Sequence, residues 1–91
     1  MSLDKIRAEI DRLDEQIVDL LNQRTARAIE IGRIKEITSS SVYVPAREKD
    51  VLERVSRANN GPLSERNLRA IYREIMSASI SQENKVVVAY L

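Results

Sequence analysis

Arg24 stands where the apolar seam of a long helical segment calls for a hydrocarbon side chain. Ile6, Ile10, Leu13, Ile17, Leu20, Ile31 and Ile34 recur mainly at steps of three and four, the spacing that lines one face of an α-helix. Extending that series puts Arg24 on the same face. Arg7 and Lys35 adjoin the seam residues Ile6 and Ile34, close enough for their aliphatic stems to follow the apolar stripe and carry the charge inward. Two later segments repeat the theme. Arg47 and Glu48 precede a stripe of Val51, Val55 and Ala58, while Ser79 and Glu83 close a stripe containing Leu68, Ile71, Tyr72, Ile75 and Met76. Leaving such groups buried and unpaired would cost several kcal/mol each, in a domain whose net stability is on the order of 5–15 kcal/mol. A small polyanionic ligand removes the conflict.

Taken singly, each of these residues also has a plain structural use. Arg24 can be a core polar residue that fixes the register of a coiled coil, and Arg7 and Lys35 can be solvated helix charges. Arg47 and Glu48 can be first-turn surface residues, and Ser79 and Glu83 a helix end facing water. The functional reading rests on the combination, in which three segments all turn polar groups toward an apolar face.

The spacing also sets what one site can hold. Arg24 and Lys35 are eleven residues apart, about three turns and ~16 Å of rise, so they share a face and can converge on one ligand. Arg7 lies seventeen residues before Arg24, about 25 Å along the axis, too far to close on the same metabolite-sized anion from the same chain. In an antiparallel dimer of long helices, Arg7 would instead complete the partner's pocket.

The elements that position these residues are helical. Ser2 can cap a first helix with Asp4 in its first turn, and the periodic pattern then runs from Leu3 to about Ile37 without a proline, until Thr38, Ser39, Ser40 and Ser41 stop it. Such a helix is roughly 50 Å long, more than two shorter helices of one small domain can cover. Gly32 in its interior is either merely tolerated or marks a close approach of backbone or ligand. Pro45 suits the first turn of a second helix, which Asn59, Asn60, Gly61 and Pro62 end. Ser64 can cap a third. Lys85 to Leu91, rich in Val, then reads as β-prone composition without a partner strand. The expected fold is all-α, a three-helix protomer with a very long first helix, in an intertwined homodimeric helical bundle.

Composition narrows the function classes. The chain has 91 residues, enough for one small domain, and so short a chain leaves much apolar surface uncovered unless it associates. A formal charge of +1 supplies no general field for nucleic acid or an anionic membrane, so any anion site is local. The absence of Cys and His removes disulfides, thiol and imidazole catalysis, and the usual zinc ligands, and no metal site is expected. No apolar stretch approaches the ~20 residues of a membrane span, and Met1 to Asp11 is too charged for a secretory signal. A cytoplasmic protein is expected.

With these residues in place, the chain resembles the all-helical chorismate mutase family. The match runs through Ile6-Arg7, Leu13-Asp14, Leu20-Leu21, Arg24, Gly32 and Lys35, then Pro45, Arg47-Glu48 and Val51-Leu52, then Ile75, Ser79 and Glu83. It covers Leu3 to about Glu83. The resemblance implies an intertwined homodimer and a unimolecular Claisen rearrangement of chorismate to prephenate, with no cofactor. Arg24 and the partner's Arg7 would clamp the two substrate carboxylates, helped by Arg47 and Ser79. Lys35 would donate to the ether oxygen as the C–O bond breaks, and Glu48 would accept from the ring hydroxyl.

Two positions depart from the family pattern. Val44 stands where some relatives carry Asp, which is harmless if only the backbone N–H is used there. Glu83 stands where others use Gln to donate to the ether oxygen. A carboxylate cannot donate, so Glu83 is expected to work protonated and activity to decline as pH rises. Residues 1–84 form the mutase-like domain of this reading. Residues 85–91 then resemble either the opening strand of a following prephenate dehydratase domain or an ordinary apolar extension. Competing readings are an isochorismate-pyruvate lyase on the same fold, and a non-catalytic dimeric module whose inward charges pair with one another. A helix-turn-helix DNA reader fits least, because its basic residues should project outward.

Overall fold

The computed structural model describes residues 2–38 and 45–89, with the side chains of residues 36, 38 and 83–89 outside the description. Three helices make up the described chain: α1 over Leu3–Thr38, α2 over Pro45–Ala58 and α3 over Glu65–Ala89.

Their starts and stops follow from local hydrogen bonding. Helix termini leave backbone N–H groups without intrahelical acceptors, and Ser2 satisfies one by accepting the Lys5 N–H at Oγ, 3.2 Å away. Ser64 does the same at α3, where its Oγ accepts the Asn67 N–H at 3.1 Å. Between α2 and α3 the Asn59 side chain organises the turn. It accepts the Gly61 N–H at 2.9 Å and donates to the Leu63 carbonyl at 2.8 Å. Gly61 takes a φ of 74° there, a left-handed conformation that glycine adopts without Cβ strain.

α3 is the central element. It packs on both α1 and α2, whereas α1 and α2 do not pack on each other among the described residues. The α2–α3 contact is apolar: Val51, Leu52 and Met76 are buried together, with Val55 and Tyr72 packed against them. The α1–α3 contact uses only part of α1. Ala28 and Gly32 are buried and Leu21, Arg24, Thr25, Ile29 and Lys35 are half-buried, so the packed stretch runs over 21–35. Every residue from Ser2 to Leu20 is exposed. The overall dimensions, 55 × 25 × 14 Å, reflect that projecting arm.

From Lys85 onward the backbone does not follow the β-prone composition of that stretch. The backbone from 85 to 89 continues the helix. No Gly or Pro follows Pro62 to stop it, and a continuing helix satisfies each new N–H from within, whereas a lone strand has no ladder to pair with. Tyr90 and Leu91 lie outside the described residues. None of the described helices is long and apolar enough to cross a membrane.

Candidate active site

The site begins where α1 meets α3. Arg24, on the seam of α1, donates from Nη1 to Ser79 Oγ on α3 at 2.7 Å. Ser79 is only 7% exposed, and its hydroxyl in turn donates to the Ile75 carbonyl one turn back at 2.9 Å. Thr25, next to Arg24, makes the matching bond on α1, from Oγ1 to the Leu21 carbonyl at 2.8 Å. Such back-bonds let a small hydroxyl side chain sit on a helix without an unsatisfied polar atom. The frayed-end reading of Ser79 is therefore overturned.

One stripe of α1 then leads away from Arg24. Ala28 is 6% exposed and Gly32 is buried as well, and both lie on the face that carries Arg24 and Lys35, at offsets of four, eight and eleven residues. Small side chains between the two cations allow close packing there. Lys35 is half-buried at the far end. Burial at Gly32 favours the close-packing explanation of that glycine over mere tolerance.

The remaining expected residues are not all gathered here. Arg7 lies on the exposed arm of α1, about 25 Å of helix from Arg24. Glu48 is half-buried in the first turn of α2. Arg47 beside it is turned along its own helix, where Nη1 contacts Asp50 Oδ2 at 2.7 Å with the Arg47 side chain 64% exposed. Asp50 also takes Arg54 Nε at 3.2 Å. Residue type alone does not point to Asp50 as the holder of Arg47; its i+3 spacing on a helix is the signal that could have. Glu83 follows Ser79 by one turn of α3, which gives its Cα the same face. Its side chain lies outside the described residues, as does the whole of Val44.

Arg24 at the helix crossing and Lys35 three turns along thus lie on one face of α1. Comparison with known proteins identifies the family of the chain. The family model for chorismate mutase type II matches residues 6–84. The chain belongs to that family. It is 44% identical over 98% of its length to a bifunctional chorismate mutase/prephenate dehydratase of Aquifex aeolicus, and 39% identical over 93% to one of Neisseria gonorrhoeae. The chain spans only about a quarter of those relatives, 26% and 23% of their lengths. Among solved structures, a chorismate mutase of Thermus thermophilus superposes with a TM-score of 0.88 at 32% identity, covering 90% of this chain and 93% of that one. The chorismate mutase of Helicobacter pylori in complex with prephenate gives 0.85 at 34% identity, covering 93% and 92%. This chorismate mutase-family chain thus shares with both structures a helical fold over nearly its whole length.

Proposed function

We propose that this chain catalyses the rearrangement of chorismate to prephenate, as a homodimer in which the partner's Arg7 completes each site. The observation that carries the reading is the Arg24–Ser79 hydrogen bond. It holds a seam cation at a helix crossing, and no carboxylate among the described side chains forms an ion pair with it. The supporting observation for assembly is the arm of α1, whose Ile10, Leu13 and Ile17 are all about half exposed. Arg7 sits on that same arm.

The reaction asks little covalent chemistry of the protein. Chorismate carries two carboxylates, an ether oxygen and a ring hydroxyl; the C–O bond breaks as a new C–C bond forms, within one molecule. Arg24, Arg47 and the partner's Arg7 hold the carboxylates so that the reacting carbons approach, which supplies several kcal/mol through orientation. Arg47 must leave Asp50 to do so, at a cost of less than about 1 kcal/mol for so exposed a pair. Lys35 donates to the ether oxygen, an interaction that strengthens as negative charge gathers there. Glu48 accepts from the ring hydroxyl, the backbone of Val44 donates to it, and Glu83 in its acid form adds a second donor at the ether oxygen.

Following chorismate loss and product identity across pH tests this. Prephenate is the expected product, and isochorismate should yield no pyruvate. Because the acid form of Glu83 is the donor, kcat/KM should be highest below its titration and fall as pH rises through it. Glu83→Gln should flatten the profile. Pyruvate release from isochorismate at a comparable rate would favour the lyase reading, and a flat wild-type profile would remove Glu83 from the donor role.

A further inference from the structure

Asp50 has Arg47 three residues before it and Arg54 four residues after it on α2, the spacings at which helical side chains meet. Both guanidiniums reach the same carboxylate oxygen. Arg47 Nη1 donates to Asp50 Oδ2 at 2.7 Å, and Arg54 Nε lies 3.2 Å from that oxygen. Two cations thus share one anion, which leaves the trio with an excess of one positive charge. The two pairs are not equivalent. Arg47 stands in the first turn of α2, where the partial positive charge of the helix end disfavours a cation, and its acid follows it in sequence. In the Asp50–Arg54 pair the acid precedes the base, the order that suits the helix dipole. The shorter contact is therefore the one that the helix itself favours less.

We propose that Asp50 is a positioning residue that holds Arg47 along α2 before substrate binds, and that Arg54 takes over the Asp50 carboxylate when Arg47 turns to the substrate. The proposal rests on the reading of Arg47 as a carboxylate ligand and adds the two residues that set how readily it is released. Parting Arg47 from Asp50 consumes some of the substrate's binding energy. It does not leave Asp50 bare, because Arg54 already stands beside it and a guanidinium can close both arms of its fork on one carboxylate. The substrate carboxylate then supplies the anion that the trio lacks, so that two cations face two anions. All three side chains are well exposed, 64% for Arg47, 44% for Asp50 and 67% for Arg54. Water and salt therefore screen each pair, which makes the exchange a modest and reversible step.

Calorimetric titration with a bicyclic transition-state analogue, together with kcat and KM for chorismate, tests the exchange. The proteins compared are wild type, Asp50→Asn, Arg54→Ala and Arg47→Ala, with the double variants Asp50→Asn/Arg47→Ala and Asp50→Asn/Arg54→Ala. Asp50→Asn frees Arg47 and should tighten analogue binding by about two- to fivefold, the range for an exposed ion pair. KM should fall in proportion with kcat unchanged, because the cost removed is the same in ground and transition states. Arg54→Ala leaves Asp50 wholly to Arg47 and should weaken binding by a similar factor, again through KM. A changed unit charge also acts on the anion through space, and the double variants separate that field effect from the exchange. A field effect persists in every background. The exchange requires Asp50→Asn to be silent once Arg47 is Ala, and Arg54→Ala to be silent once Asp50 is Asn. Weaker binding by Asp50→Asn would show that Asp50 aims Arg47 at the substrate, which overturns the proposal. Equal factors in both backgrounds, or no change in any Asp50 or Arg54 variant while Arg47→Ala weakens binding, would overturn it and leave the proposed site intact. Wild-type affinity in Arg47→Ala would overturn the exchange together with the place of Arg47 in the site.

Discussion

The two halves of α1 carry the same kind of apolar periodicity and meet different fates. From residue 21 to 35 the helix lies against α3 with Ala28 and Gly32 buried and Arg24 tied across to Ser79, although the seam residues Ile31 and Ile34 remain 44% and 60% exposed. From residue 3 to 20 the seam continues through Ile6, Ile10, Leu13, Ile17 and Leu20, yet Leu20 is 62% exposed and the others are at least 39% exposed. The difference lies in side-chain size as much as in position. The packed half turns small residues toward its neighbour and allows close backbone approach. The arm presents branched aliphatic chains that one short α-helical domain has no second layer to cover. An exposed apolar strip of this length marks an interaction surface, and under the proposed assembly a second copy covers it.

The largest effect expected tests the connection between the halves. Arg7→Ala on the arm and Arg24→Ala on the packed half should each lower kcat/KM by about 1,000-fold or more, the scale of losing a charge-bearing contact in a preorganised site. Mixing the two inactive proteins under conditions of subunit exchange should restore activity, because heterodimers contain one site with both arginines. No recovery despite demonstrated exchange would place Arg7 outside the site.

A smaller effect distinguishes how each half is stabilised. Leu13→Glu puts a charge on the arm, and under the proposed assembly should remove several kcal/mol of association free energy. Sedimentation should then report a lighter species, and the wild-type Tm should rise with protein concentration while that of the variant does not. Unchanged sedimentation of Leu13→Glu would show that the arm is not the interface. The counterpart in the packed half is milder. Ala28→Leu overfills a close α1–α3 contact and should cost about 1–3 kcal/mol, read as a lower midpoint in chemical denaturation with the oligomeric state preserved. A neutral result would mean that the small residues at this crossing are not needed for packing.

The helix pattern is legible in the residues because the determinants of helix ends are local. Ser2, Ser64, Asn59 and Gly61 act within four residues of themselves, and the structure uses each at the position its type suggests. The tail departs from its composition for the complementary reason. Val86, Val87 and Val88 favour strands by type, but a strand needs a partner and a helix does not, so continuity from α3 prevails through Ala89. Charge on an apolar seam is enough to single out Arg24. Its anchor carries no such mark, since Ser79 lies 55 residues away in sequence and nothing local reveals which helix will cross there. The engagement of Arg47 by Asp50 likewise depends on a rotamer choice among several open to an exposed side chain.

By itself, then, the sequence determined the number of helices and their limits as far as Ala58 and Glu65. Periodicity, caps and charge act over one or two turns of chain, and each can be read without knowing the neighbours. Only the tertiary structure decided which half of α1 is covered, and that α3 is the helix carrying the contact. It also decided that a buried serine hydroxyl faces Arg24 as an acceptor. Those outcomes come from packing between segments distant in sequence, where side-chain volume and the direction of a single hydrogen bond select one arrangement from many with the same pattern.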